Sequence, residues 1–249
     1  MKVLMFKDHD SLSRYAAQVF IDQLKANPHS VLGLATGSTP IELYQELIKA
    51  NQSGEITFKD VITFNLDEYL GLPADHPESY ARFMQENLFD GIDIDPANTH
   101  VPDGMAADPV LEGETYEEKI SQSGGIDLQV LGLGGNAHIG FNEPDDTLSY
   151  HTHATPLTEE TRQANARFFD SIDEVPSDAI TMGMGSIMRA KKILLLASGE
   201  HKAEAIFQTV EGPITTQAPS SLLQLHHDVT VLIDEAAASK LNETSYENL

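Results

Sequence analysis

The chain has 249 residues, enough to bury a large core in a single α/β domain. Hydrophobic residues make up 41% and charged ones 22%, which argues against disorder, and no apolar run approaches a membrane span. Lys and Arg number 15 against 39 Asp and Glu, a net charge of −24 that repels nucleic acid and anionic membranes, and the lack of cysteine excludes disulfides, thiol catalysis and Cys-ligated metal.

From the N-terminus the pattern alternates strand and helix. MKVLMFKDHD carries Lys7, Asp8 and Asp10 and no secretory apolar core, so a cytoplasmic location is expected. Val3–Phe6 reads as a strand. Leu12, Tyr15, Ala16, Val19, Phe20 and Leu24 then recur at helical spacing until Asn27 and Pro28 stop the helix. Val31–Ala35 is a buried-type strand, followed by a loop and a helix over roughly 40–50. Val61–Phe64 is the next strand, Glu78–Phe89 a helix, Glu112–Ser121 another helix and Ile126–Gly132 another strand. Further strands are expected at Ala179–Met184, Ile193–Ala197 and Val229–Ile233. Helical stretches fall near 186–190, 200–210, 219–224 and 235–241.

Short apolar strands alternating with helices predict one doubly wound, Rossmann-like domain over 1–249. Its sheet is mainly parallel, with helices on both faces. Ligands of such sheets bind beyond the carboxyl ends of the strands. Three segments place polar residues there: Thr36–Pro40, Asn65–Tyr69 and Gly132–Pro144.

In LGLATGSTP, Gly37 allows close backbone approach, while Thr36, Ser38, Thr39 and the amides of a helix N-terminus suit an anion. Pro40 fits the first helical position, and Thr39 and Glu42 have capping-box spacing. The same residues also suit an ordinary capped helix start, and without a following Lys the loop is not a Walker motif. In VITFNLDEYLGL, Asp67 and Glu68 follow a buried strand; either could be a general base facing the crevice, or a solvated acid or helix cap. In the third segment, Gly132–Ala137 formally fits a dinucleotide fingerprint. Gly140 and Pro144, however, follow where that fingerprint needs a helix. The loop instead offers His138 with Asn136 and Glu143 as orienting groups.

Taken in order, LGLATGSTP, NLDEYLGL, HPESYARFM, AHIGFNEP, TRQANARFF and LASGEHKA resemble the glucosamine-6-phosphate deaminase family over nearly the whole chain. The resemblance implies conversion of glucosamine 6-phosphate and water to fructose 6-phosphate and ammonia, without metal or cofactor. It makes Asp67 the proton-transfer base and gives ring opening to His138, oriented by Asn136 and Glu143. Arg167 and Lys202 match the family's phosphate ligands beside Thr36–Thr39. They place two of the few cations where the phosphate sits. Several relatives have Asp where this chain has Asn136, which holds His138 by hydrogen bonding but lends it no charge.

Two other readings share this layout: a 6-phosphogluconolactonase, expected to lack the Phe141–Pro144 sequence, and a non-catalytic sugar-phosphate sensor, expected to carry a basic DNA-binding module. His151 and His153 read as surface histidines and Met182, Met184 and Met188 as core. Arg162 is a candidate salt-bridge partner. Regulated family members carry basic residues shortly after the FNEP motif; here that stretch offers His153 and Thr155, with Asp145 and Asp146 upstream. The expectation is a monomer with hyperbolic kinetics, not activated by N-acetylglucosamine 6-phosphate.

Overall fold

The computed structural model describes residues 1–166, 169 and 171–249. The first strand, β1 (Lys2–Phe6), leads into helix α1 (His9–Ala26), whose first turn is capped by Asp8 accepting from the Ser11 amide at 2.9 Å. Leu12, Ala16, Phe20 and Leu24, four apart in sequence, form the buried stripe of α1. Strand β2 (Val31–Leu34) and helix α2 (Ile41–Gln52) follow, and α2 packs on α1. Next come β3 (Ile62–Asn65), the short β4 (Asp67–Tyr69), α3 (Tyr80–Asn87) and the two-residue β5 (Thr99–His100). Helix α4 (Pro109–Gln122) returns the chain to β6 (Leu128–Leu131).

The second half contains β7 (His153–Pro156), α5 (Glu159–Asn165), β8 (Asp178–Thr181), α6 (Met184–Met188), β9 (Lys192–Ala197), α7 (Ala203–Val210), β10 (Val229–Asp234) and β11 (Glu247–Asn248). Among the described residues the strands form two sheets. The larger runs β11-β1-β10-β9-β6-β2-β3-β5, and its pairings are all parallel. From β2 the chain moves one way, to β3 and β5; from β6 it moves the other way, to β9 and β10. With right-handed crossovers this puts α1 and α2 on one face and α4 and α7 on the other. The sheet is therefore buried on both sides, and β2, β6 and β9 read as near-continuous apolar runs. The divergence between neighbouring β2 and β6 is a topological switch point, and their carboxyl ends open a crevice there.

The second sheet, β4-β8-β7, is antiparallel and was not expected from the sequence. Asp67 and Glu68 are therefore strand residues, paired with Thr181 and Ile180, and do not lie in a loop. The stretch expected as a strand over Ala179–Met184 divides: β8 ends at Thr181, and Met184 begins α6. The Thr39–Glu42 capping box does not form. Pro40 is itself the cap residue of α2, which puts Glu42 at the second helical position when the box requires the third. The 235–241 stretch is a series of turns, and 219–225 is a 3-10 helix. Met182 and Met184 are core residues, and the partly buried Met188 packs against the same core. Arg162 pairs with Glu159 at 3.5 Å.

Candidate active site

Four neighbouring strands of the large sheet, β9, β6, β2 and β3, feed loops into one cleft of about 440 Å³ at their carboxyl ends. After β2 come Thr36, Gly37, Ser38 and Thr39; after β3 come Leu66 and Asp67. Gly132–Gly135 and His138 follow β6, and His201 and Lys202 follow β9. All three polar segments picked out from the sequence therefore meet in one place, joined by Lys202.

The turn after β2 is tied to the helix it precedes. Tyr44, fully buried on α2, donates its hydroxyl to the Ala35 carbonyl at 2.5 Å and accepts from the Ala35 amide at 3.2 Å. Gly37 sits at φ +90°, a backbone conformation that glycine adopts without strain. Among the described residues no side chain caps α2, so its first-turn amides remain available beside the Thr36–Thr39 turn.

Successive side chains on a strand point to opposite faces, and this separates the two carboxylates of β4. Glu68 turns away from the cleft and caps α3. It accepts from the Tyr69, Tyr80 and Ala81 amides at 2.8, 2.9 and 2.8 Å. Asp67 lines the cleft, 6% exposed, and no group among the described residues donates a hydrogen bond to its carboxylate. Burial, with the nearby Glu68 charge adding to it, pushes the Asp67 carboxyl up to about 8. Once it has lost its proton, such a group is a stronger base than an ordinary aspartate. The strand end before it is held by Tyr116, whose hydroxyl donates to the Asn65 carbonyl at 2.7 Å.

The loop after β6 is built around His138. Its Nδ1 lies 3.0 Å from Glu143 Oε2, and the ionised carboxylate can only accept, so Nδ1 carries the proton. Asn136 Nδ2 donates to the same oxygen at 2.7 Å, while the His138 amide donates to Asn136 Oδ1 at 3.3 Å. Nε2 has no hydrogen-bond partner among the described residues and is left for a ligand in the cleft. A Cβ on Gly134 would lie 2.4–2.5 Å from the imidazole ring, so only glycine fits beneath it. Ala137, between Asn136 and His138, is held at φ +66°, a strained left-handed conformation for a residue with a side chain. Burial of Glu143 works toward a raised pKa. The hydrogen bond and charge of His138, with Thr161 and Asn136 donating, overcome it and bring the carboxyl down to about 2.

Lys202 ends a 3-10 turn that leads into α7. Asp234 at the end of β10 fixes that turn, accepting from the Gly199 amide and from the Ser198 hydroxyl at 2.8 Å. Of the site residues expected from sequence, Thr36, Gly37, Ser38, Thr39, Asp67, His138 and Lys202 line the cleft, and Asn136 and Glu143 stand behind His138. Arg167 lies outside the described residues. Tyr80, Phe141, Thr161, Asn165 and His201 also line the cleft and were not expected. The TRQANARFF segment, from which only Arg167 was taken as a site residue, already contained Thr161 and Asn165. Among the described residues no group of three or more His, Asp and Glu side chains is placed to hold a metal ion.

Fold and cleft together define a class: a doubly wound α/β protein with a cleft at its switch point, where a buried carboxyl and an oriented imidazole flank a polar turn at a helix N-terminus. The family model for glucosamine-6-phosphate isomerases and 6-phosphogluconolactonase matches residues 7–232. A glucosamine-6-phosphate deaminase from Clostridioides difficile is 54% identical, the alignment covering 99% of each chain. One from Halothermothrix orenii is 56% identical over 97% of this chain and all of that one. The chain belongs to the glucosamine-6-phosphate deaminase family. A monomeric glucosamine-6-phosphate deaminase of solved structure superposes with a TM-score of 0.94 at 47% identity, covering 96% of this chain and 100% of that one. The 6-phosphogluconolactonase from Trypanosoma cruzi, at 21% identity and a TM-score of 0.78 over 97% of each chain, shares the fold.

Proposed function

We propose that this protein converts glucosamine 6-phosphate and water to fructose 6-phosphate and ammonia, its 249 residues acting as one cofactor-free catalytic domain. The observation that carries the reading is a single cleft holding the buried Asp67 carboxyl, which receives no hydrogen bond among the described residues, the Glu143-backed His138 imidazole, the Thr36–Thr39 turn and Lys202. The phosphate rests on that turn and on Lys202, with Arg167 as a further ligand. His138 Nε2 takes the proton of the anomeric hydroxyl and gives it to the ring oxygen, which opens the pyranose. Glu143 stabilises the imidazolium formed between the two transfers, and Asn136 keeps Glu143 in place. Asp67 then removes the proton from C2 to form an enolamine and returns it at C1. Water adds to the resulting C2 imine and ammonia leaves.

The strong identity with deaminases, against about one residue in five shared with lactonases, favours deamination over lactone hydrolysis. The 47% identity with a monomeric deaminase supports a monomer. His153 and Thr155, where regulated members carry cations, support hyperbolic kinetics that N-acetylglucosamine 6-phosphate leaves unchanged. No helix among the described residues is long and apolar enough to cross a membrane, and we place the reaction in the cytoplasm. Coupled assays of the purified protein test the reading. Ammonia and fructose 6-phosphate should appear together without added metal or nucleotide; hydrolysis of 6-phosphogluconolactone with no ammonia would overturn it.

A further inference from the structure

Glu143 has two carboxylate oxygens, and the ring-opening loop uses only one. Oε2 receives His138 Nδ1 and Asn136 Nδ2. Oε1 is taken by a different element: the Thr161 hydroxyl on α5 donates to it at 2.5 Å, with the Thr158 hydroxyl at 3.5 Å. A glutamate held through one oxygen still turns about its terminal torsion, which is broad, and the imidazole bonded to it turns too. A second donor on the other oxygen removes that freedom. We propose that Thr161 is a positioning residue for ring opening, fixing His138 through the far oxygen of Glu143; this rests on the assignment of ring opening to His138.

The first turn of α5 is organised for this contact. Thr158 caps it, accepting from the Thr161 amide at 3.2 Å, and the two threonine hydroxyls lie 3.0 Å apart. Thr161 is buried at 7% exposure. Arg162 anchors the next residue by donating to the Ile172 and Val175 carbonyls at 3.2 and 3.3 Å. The same helix places Asn165 on the cleft wall, so the seating of α5 and the setting of His138 are joined through one hydroxyl. Asp67, Tyr80, His201 and Lys202 are the other titratable groups lining the cleft, and all are retained in the variants below.

Thr161→Val keeps the shape and loses the hydroxyl, whereas Thr161→Ser keeps the hydroxyl and loses the methyl. In the first readout the proton on His138 Nδ1 is followed by NMR in the substrate-free protein. With Glu143 held through one oxygen only, its resonance should broaden or disappear in Thr161→Val, while Thr161→Ser keeps it as in the wild type. In the second, ammonia release should fall about tenfold in kcat for Thr161→Val and return to within about twofold in Thr161→Ser. The Kd of 2-amino-2-deoxyglucitol 6-phosphate, an open-chain compound with no ring to open, should change by less than about twofold in either variant. A His138 Nδ1 proton resonance in Thr161→Val as sharp as in the wild type, or a Thr161→Ser variant as impaired as Thr161→Val, would overturn the proposal. A wild-type protein that releases no ammonia would instead overturn the functional reading, and the Nδ1 proton resonance would still decide the role of Thr161.

Discussion

The end of β4 and the 134–143 loop each bury a carboxylate at the same cleft, yet the two are driven to opposite ends of the scale. Asp67 is pushed up to about 8, and Glu143 is brought down to about 2. Burial acts in the same direction on both, disfavouring the charge. The difference lies in the donors. Asp67 receives no hydrogen bond among the described residues and has Glu68 as a like-charged neighbour; Glu143 receives His138, Asn136 and Thr161. One carboxylate is left wanting a proton, and the other is made a permanent anion beside an imidazole. A carboxyl that holds its proton and one that gives it up thus come from the same functional group, separated by what surrounds each.

The largest effect should come from removing the unsatisfied member of the pair. Asp67→Asn keeps the size and strand pairing of β4 and cannot accept the C2 proton. Its kcat should fall by ~10²–10⁴-fold in the ammonia assay, with binding of the open-chain amino-alcohol phosphate retained. Near-normal turnover would take Asp67 out of the chemistry. Replacing the satisfied member should cost less. Glu143→Gln keeps partners for His138 and Thr161 but removes the charge that favours the imidazolium, and a fall of about 10–100-fold in kcat, with KM little changed, is expected. If Glu143→Gln proves as damaging as Asp67→Asn, the contrast between the two carboxylates is drawn in the wrong place. Lys202 belongs to neither carboxylate, and Lys202→Ala should chiefly raise KM. A charge-assisted phosphate contact is worth roughly 1.5–3 kcal/mol, so the rise should be on the order of tenfold or more. An unchanged KM would move the phosphate away from the β9 loop.

The same contrast separates what could be read from the sequence from what could not. The large sheet was legible because VLGL, LQVL and KILLLA are near-continuous apolar runs at βα spacing. The small sheet was not, since DEY and HATP carry no apolar run and become strands only by pairing with β8. On the residues alone Asp67 and Glu68 were consequently alternatives, with only the family resemblance naming Asp67, and strand geometry sends one into the cleft and the other onto α3. His138, Asn136 and Glu143 could be grouped because they lie on one loop within eight residues of sequence. Thr161 could not. It meets Glu143 from 18 residues further along the chain, through a helix whose approach depends on tertiary packing. Gly134 was visible as part of a glycine-rich turn, but its purpose, clearance for the imidazole, appears only in three dimensions.

The most direct test of this account is a titration of the carboxyl carbons in substrate-free protein labelled with 13C at Asp and Glu. A carboxyl group raised from 3.8 to about 8 keeps its proton through neutral pH and loses it only as pH rises through that value. One resonance should therefore titrate with a midpoint near 8 and disappear in Asp67→Asn, while the resonance lost in Glu143→Gln should show no titration above about pH 4. A spectrum in which every carboxyl has titrated below about pH 5 would contradict the account.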